Sequence, residues 1–188
     1  MKITHVKGRL LNGVEVDISL TAPNGQPVRR FVIAGDNGVG KSLLLQAMAY
    51  GGDDEIKVTR IETKDSWRYI RYEPYEHSYA EESDRYFRFF EMLGRQQPVR
   101  YHPSFSDVWL RRIFSELPAR EDYDGVIFVD NPELGLDVKT DAMLGPALEQ
   151  LLPHAQFIYA TKSPGLWDHA YSFERVMITQ PGDPRDLQ

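Results

Sequence analysis

The chain of 188 residues contains no cysteine. This absence excludes disulfide bonds, thiolate nucleophiles and cysteine-ligated zinc, and it fits a reducing compartment. Long apolar runs are also missing: none approaches the roughly 20 residues that a membrane-spanning helix needs, and the N-terminus lacks the apolar segment of a signal peptide. We therefore expect a cytoplasmic protein without membrane insertion.

Basic residues are fewer than acidic residues. The sequence has 22 Lys and Arg against 28 Asp and Glu, which gives a formal net charge of -6. A domain of this charge is a poor ligand for polyanions, so we expect contact with nucleic acid only through a partner or a local basic patch. The length and the ordinary composition predict one folded domain over residues 1–188.

Apolar residues occur in an alternating order of strands and helices. Residues 2–6 and 14–20 have the apolar-polar alternation of half-buried strands, separated by an Asn-Gly turn. Apolar runs predict a strand at 30–35 and buried strands at 125–130, 157–160 and 174–178, and the segment WRYIRY at 67–72 is strand-like. Helical patterns occupy 42–50, 80–93, 106–117 and 140–152, the last interrupted by Pro146. This order predicts an α/β fold: a mainly parallel sheet with helices on both faces, N-terminal antiparallel strands and a small helical insertion.

Aromatic residues concentrate in one segment of the chain. Nine of them lie between Trp67 and Phe90, mixed with carboxylates. We expect residues 67–120 to form a helical, aromatic subdomain. Two interpretations of the aromatic residues stay open, namely a core packed over the sheet and a surface for a partner protein.

Glycines at fixed spacing follow the strand at 30–35. The sequence GDNGVGKS at residues 35–42 fits G-x-x-x-x-G-K-[ST], in which backbone N–H groups wrap phosphates at a helix N-terminus. The alternative is a glycine-rich turn that matches by chance, expected about once in a hundred chains of this size. Lys41 would reach the β- and γ-phosphates and Ser42 would ligate Mg²⁺. The predicted nucleotide contacts are Gly35, Asp36, Asn37, Gly38, Val39, Gly40, Lys41, Ser42 and Leu43.

A carboxylate is expected at the end of a neighbouring buried strand, where it would hold Mg²⁺ directly or through water. Asp130 ends the apolar run VIFVD. Its alternative role is to cap the next turn. The two motifs together predict ATP and Mg²⁺ as cofactors.

These motifs resemble those of ATP-binding-cassette (ABC) ATPases. GDNGVGKSLLL is similar to their G-x-N-G-x-G-K-S-x-L-L, VIFVDNPELGLD to their Walker B strand and D-loop, and ATKSP to their T-H-S-P switch loop. The similarity covers roughly residues 1–50 and 104–165, and the M-K-I start resembles the soluble RecF and structural-maintenance-of-chromosomes branch. The resemblance implies the P-loop NTPase fold. It also implies a nucleotide-dependent dimer, with itself or a related ATPase subunit, that acts on a separate effector protein.

The adenine contact of the family is not evident. Transporter-type members stack adenine on an aromatic residue upstream of the loop, but residues 1–30 contain no Phe, Trp or Tyr. Arg9 is our candidate for this contact. The alternative for Arg9 is a solvated strand residue.

The chain departs from the family at positions that serve hydrolysis. Asn131 replaces the glutamate that polarises water, and an amide cannot take a proton. Glu133 would substitute only if the loop bends unusually. Lys162 replaces the switch histidine and offers a point charge to a γ-phosphate, with an exposed loop lysine as its alternative. We take Lys41, Asn131, Glu133 and Lys162 as candidate catalytic residues and expect slow ATP hydrolysis.

Of the remaining family motifs, two are altered and one matches. The best match to the Ser-x-Gly signature, which clasps the partner subunit's γ-phosphate, is Ser106-Asp107-Val108, although Ser106 is also a suitable helix N-cap. Glu73 stands near the position of the Q-loop glutamine. Asp137 matches the D-loop, with a helix N-cap as its alternative.

Three functions therefore stay open. The first is an ABC-type ATPase whose dimerisation or conformational change acts on a partner. The second is a non-hydrolysing, nucleotide-gated binding module or the degenerate half of a heterodimer. The third is a P-loop kinase, in which Arg111 and Arg112 would clamp phosphates as a lid does.

Overall fold

The structure, a computed structural model, describes residues 1–51, 55–71, 84–94 and 104–179. The elements in chain order are β1 Lys2–Arg9, β2 Glu15–Ser19, β3 Arg30–Ala34, α1 Lys41–Tyr50, β4 Ile56–Ile61, β5 Trp67–Arg71, α2 Asp84–Met92, α3 Phe105–Glu116, β6 Val126–Asp130, α4 Val138–Leu151, β7 Gln156–Thr161, α5 Pro164–Asp168, a 3-10 turn Ser172–Glu174 and β8 Arg175–Met177.

Five strands form a parallel sheet in the order β5-β6-β7-β3-β8. The carboxyl ends of parallel strands lie at one edge of their sheet. The loops that follow β3, β6 and β7 therefore emerge together, and they carry most of the predicted site residues.

Both faces of this sheet are covered. Along β7, Phe157 and Tyr159 join a core with α2, α3, α4 and α5, whereas Ile158 and Ala160 join a core with α1 and the antiparallel sheet. The central strands β3, β6 and β7 are apolar on both faces, because helices cover one face of the sheet and α1 with the second sheet covers the other. The predicted α/β architecture, with a mainly parallel sheet, helices on both faces and antiparallel N-terminal strands, is confirmed.

The second sheet has three antiparallel strands in the order β2-β1-β4. The sequence analysis missed β4, whose residues are exposed or only partly buried. A search for unbroken apolar runs cannot detect a strand of this kind in the sequence.

Two predicted details were wrong. The strand at the C-terminal end of the sheet, β8, is partly exposed rather than fully buried, because it is an edge strand. Helix α4 continues through Pro146 instead of being interrupted there. Pro146 is exposed, and burial of Leu144, Ala147 and Leu148 around it outweighs the hydrogen bond that proline cannot make.

Three of the four aromatic residues of α2 are buried, and the fourth, Phe87, is partly buried. Tyr86, Phe89 and Phe90 pack into the core with α3, and the rings of Phe89 and Phe114 lie 5.2 Å apart. For this part of the aromatic segment the structure favours the core over a partner surface; residues 72–83 lie outside the described ranges.

None of the helices in the described ranges has the length and apolar character needed to cross a bilayer.

One buried side chain joins the two sheets. Gln156, fully buried at the start of β7, accepts from the Ile3 backbone N–H at 2.7 Å and donates to the Ile3 and Val28 carbonyl oxygens at 2.9 and 3.0 Å. Its amide thus satisfies three backbone groups at the junction between β1 and the parallel sheet.

Gln156→Leu is expected to lower the free energy of unfolding by about 3 kcal/mol, because it leaves these buried backbone groups without partners. Urea unfolding of the two chains measures the difference. Gln150→Leu, at an exposed position of α4, is the matched control. Equal stability of the two variants would contradict the role given to Gln156.

Candidate functional site

The glycine loop lies between β3 and α1 at the carboxyl edge of the parallel sheet. Gly35 has a φ of 149°, and a Cβ there would lie 2.3 Å from the Ile178 carbonyl oxygen. Gly40 has a φ of 105°, and a Cβ there would lie 2.7 Å from Nδ2 of Asn12. The conformation of the loop therefore requires glycine at both positions.

The β1–β2 turn is attached to this loop. Asn12 donates from Nδ2 to the Val39 carbonyl oxygen at 2.9 Å, and its Oδ1 accepts from the Val14 N–H at 3.3 Å. The sequence analysis recognised Asn12 only as a turn residue. Nothing in the local pattern indicates its contact with a loop 27 residues away.

Lys41 occupies the centre of the loop. Its side chain donates to the carbonyl oxygens of Gly35 and Asp36, each at 2.8 Å, and only 6% of the residue is exposed. Burial lowers the pKa of Lys41, while the nearby carboxylates of Glu133 and Asp130 oppose this shift. The loop thus holds a compact cationic group where a phosphate would enter.

Ser42 and Asp130 come together beside Lys41. Ser42 Oγ donates to Asp130 Oδ1 at 3.0 Å. We expected β3 and β6 to be immediate neighbours in the sheet, but β7 lies between them. Asp130 also accepts from the Tyr69 hydroxyl at 3.3 Å and from Asn131 Nδ2 at 2.9 Å. Burial raises the pKa of Asp130, and the hydrogen bonds from Ser42 and Tyr69 oppose the rise.

The oxygen atoms of Ser42 and Asp130 suit an Mg²⁺ ion that also binds the phosphates of a nucleotide. Ser42 and Asp130 offer hard oxygen ligands, and Mg²⁺ is commonly bound by one or two such side chains plus phosphate oxygens and water. Within the described ranges, no cluster of three or more His, Asp or Glu side chains could hold a metal alone. A cation at this position would therefore depend on phosphate for its remaining ligands.

The chain turns sharply after β6. Asn131 has a φ of 51° and is the non-glycine residue with a positive φ in the described part of the chain. Its N–H donates to the Ala160 carbonyl oxygen at 2.8 Å, and its side-chain amide donates to Asp130. Asparagine tolerates this left-handed conformation better than most residues with a Cβ.

The turn directs Glu133 to the end of β7. Its Oε2 accepts from Thr161 Oγ1 at 2.7 Å, and its Oε1 accepts from the Lys162 N–H at 3.0 Å. Among the charged groups that affect the pKa of Lys41, Glu133 has the largest effect, and Lys162 acts in the opposite direction. The four candidate catalytic residues thus lie at one edge of the sheet.

The N-terminus of α3 is closed by its own residues. Ser104, not Ser106, is the N-cap: its Oγ accepts from the Asp107 N–H at 3.2 Å, and Asp107 Oδ2 accepts from the Ser104 N–H at 3.0 Å. The alternative role of Ser106 as N-cap was therefore wrong. The carboxylate of Asp107 occupies the first turn, where the resemblance would place a phosphate clasp.

Asp137 begins α4 as its N-cap. Its Oδ1 accepts from the N–H groups of Lys139 and Thr140, each at 3.1 Å. Asp137 was interpreted either as a D-loop residue or as a helix N-cap, and in the structure it is the N-cap of α4. Glu73, the candidate for the Q-loop position, lies outside the described residues.

Arg9 ends β1, where it is paired with Glu15 of β2. Its Nη2 is 2.5 Å from Glu15 Oε1, and both side chains are exposed. Arg9 also lines a cleft of about 600 Å³ between the β1–β2 turn and the flank of α1 that carries Leu43, Gln46 and Tyr50. Its contact with a nucleotide base stays a prediction.

The two arginines considered as a kinase lid are engaged within the helical region. The guanidinium of Arg111 lies 5.2 Å from the centre of the Tyr86 ring. Nε of Arg112 is 2.6 Å from Glu116 Oε1. Neither contact favours a phosphate clamp.

Of the comparisons with known proteins, the match to a solved structure bears on the fold. The chain matches a solved structure of a metal-chelate-type ABC transporter in an inward-facing conformation, with a TM-score of 0.55 and 14% identity over 95% of this chain and 81% of that chain. Residues 17–88, which include the glycine loop but less than half of the chain, match the family model "Mitochondrial ribosomal death-associated protein 3". A search of curated proteins finds no match. The likeness to this solved structure shows that the chain has the P-loop NTPase fold.

Asp130→Asn is expected to stabilise the ligand-free protein. Because burial raises the folded-state pKa of Asp130, its ionised form costs stability above that pKa, and the cost disappears as falling pH protonates the carboxyl group. The substitution should therefore raise the free energy of unfolding at pH 7 by on the order of 1 kcal/mol, and the gain should shrink as the pH is lowered.

Thermal unfolding over a pH series tests this expectation. The control is Asp122→Asn, where an exposed carboxylate has its pKa lowered by a hydrogen bond from Lys64, so that neutralisation should bring no gain. If Asp130→Asn destabilised the protein at pH 7, the cost assigned to the buried carboxylate would be wrong.

Proposed function

We propose that this chain is a single Mg-ATP-binding, ABC-type ATPase domain of the RecF and structural-maintenance-of-chromosomes branch, with slow hydrolysis. The observation that carries the proposal is the hydrogen bond of 3.0 Å between Ser42 and Asp130 beside the buried ammonium group of Lys41. A cation ligand pair and a phosphate-binding cation thus meet at one sheet edge, as Mg-nucleotide binding requires.

In this proposal the loop binds phosphate through its backbone and Lys41. The glycines at 35, 38 and 40, all with positive φ, let the backbone curve around the phosphates. Lys41 would exchange its contacts with Gly35 and Asp36 for phosphate oxygens. Bound Mg²⁺ would neutralise charge on the β- and γ-phosphates, with Ser42 and Asp130 as its protein ligands. Arg9 remains our candidate for the base.

The groups near the γ-phosphate would provide weak catalysis. Asn131 can hydrogen-bond a water but cannot remove its proton. Glu133 is held by Thr161 and by the Lys162 N–H, and each of its oxygens keeps a second lone pair for a water. Lys162 would contribute a charge at the end of β7.

Lys41→Ala is expected to weaken Mg-ATP binding by about 100-fold or more, because it removes a charged donor to the phosphates. Isothermal titration calorimetry measures the affinity. The matched control is Lys57→Ala, at an exposed position of β4, which should bind as the wild type does. Undiminished binding by Lys41→Ala would refute the phosphate-loop assignment.

A second candidate is a non-hydrolysing, nucleotide-gated module or the degenerate half of a heterodimer. The observation that favours it is the capping box of α3, in which Asp107 accepts from the N–H of the N-cap Ser104. This carboxylate lies at the helix N-terminus that the resemblance expects to clasp a second subunit's phosphate. A related subunit with an intact signature would then complete the site, and the nucleotide state would be transmitted to an effector protein.

Asn131→Glu distinguishes the two candidates. If the missing carboxylate limits turnover, the substitution should raise the ATPase rate by about 100-fold, the lower range of general-base catalysis. The left-handed conformation costs a glutamate at this position about 1 kcal/mol. The free energy that corresponds to the expected rise in rate is larger than this conformational cost. Phosphate release by the purified chain is the measurement.

Asn131→Gln is the control. Glutamine has the same length as glutamate and the same conformational cost at this position, but it cannot act as a base. Glu133→Gln, assayed in parallel, should reduce any turnover that the wild type has. An equal rise in Asn131→Glu and Asn131→Gln would contradict general-base catalysis. Turnover of the unmodified chain at ordinary ATPase rates would eliminate the second candidate.

A further inference from the structure

The hydroxyl group of Tyr69 lies at the candidate cation site, although no sequence motif gives it a role. Tyr69 is on β5, one strand beyond β6, and it pairs in register with Phe128, two residues before Asp130. Its hydroxyl donates to Asp130 Oδ2 at 3.3 Å. The other carboxylate oxygen, Oδ1, accepts from Ser42.

The position of the Tyr69 ring is fixed on several sides. Its centre lies 6.1 Å from the Phe128 ring and 5.8 Å from the Tyr50 ring. Burial raises the pKa of the Tyr69 hydroxyl group, and Gln46 on α1 opposes this rise. Through Phe128 and Tyr50, Tyr69 contacts β6 and α1, the two elements that carry the proposed cation ligands.

A carboxylate at the end of a strand can rotate about its side-chain torsions. The hydrogen bond from Tyr69 removes that freedom on the Oδ2 side and leaves Oδ1 directed toward Ser42. Partners of this kind commonly set the affinity of a metal site, because they orient the ligands that touch the metal.

We propose that Tyr69 is a positioning residue of the cation site, which holds Asp130 so that Oδ1 faces Ser42 and the Mg²⁺ of a bound nucleotide. The inference rests on the proposed function. It also connects the site to β5, the strand that leads into the aromatic segment of the chain.

Tyr69→Phe tests this role by removing only the hydroxyl group. Mn²⁺, a paramagnetic substitute for Mg²⁺, is titrated in the presence of ADP and followed by electron paramagnetic resonance. We expect about tenfold weaker Mn²⁺ binding. The affinity for ADP in EDTA, measured by calorimetry, should not change, because Tyr69 acts only through the cation ligand.

Tyr123→Phe is the matched control. It removes another partly buried tyrosine hydroxyl group, which donates to the Ser66 carbonyl oxygen at 3.0 Å near the opposite edge of the sheet. Its Mn²⁺ affinity should equal that of the wild type. Unchanged Mn²⁺ binding by Tyr69→Phe, or an equal loss of ADP affinity without metal, would overturn the inference.

A double-mutant cycle keeps the test independent of nucleotide binding. If the two side chains interact, the shifts in unfolding midpoint caused by Tyr69→Phe and Asp130→Ala should not add in the double variant. A wild-type chain that binds no nucleotide would refute the proposed function, and the cycle would still decide whether Tyr69 holds Asp130. Additive shifts would overturn the inference about Tyr69.

Discussion

A single hydrogen bond, from Ser42 Oγ to Asp130 Oδ1, joins two parts of the candidate site that lie 88 residues apart in the chain. It forms because β3, β7 and β6 run parallel and side by side, so the start of α1 and the end of β6 meet at one edge. Lys41 directly precedes Ser42, and the turn with Asn131 directly follows Asp130. The positions of the other polar groups at this edge therefore depend on the same strand arrangement.

This arrangement has an energetic cost. Asp130 is 7% exposed, and three donors surround it, yet burial still raises its pKa. A carboxylate in such a place destabilises the fold when it is ionised, whereas an asparagine would keep most of the hydrogen bonds without the charge. Groups that cost stability in this way are common in sites that bind ligands. The cost thus supports a cation-binding role for Asp130 independently of the motif.

The sequence predicts the parts of the site that follow from local geometry. The glycine spacing and the run VIFVD locate Lys41, Ser42 and Asp130, because loop conformation is local and parallel strands share an edge. Contacts of Gln156 and Tyr69 join residues 153 and 61 apart, and no periodicity marks them. The correct N-cap of α3 could have been found, since Ser104 and Asp107 have the spacing of a capping box.

The left-handed turn at Asn131 separates the residues that we propose for nucleotide binding from those that we propose for hydrolysis. The proposed binding groups depend on strand ends and on the glycine loop, which the core of the domain holds in place. The proposed hydrolytic groups depend on the turn, where Asn131 adopts a φ of 51° and Glu133 accepts from Thr161 and the Lys162 N–H. A turn can change without disturbing the sheet edge on which it stands. A protein built in this way can lose a general base and keep its nucleotide site, which is the combination that we propose.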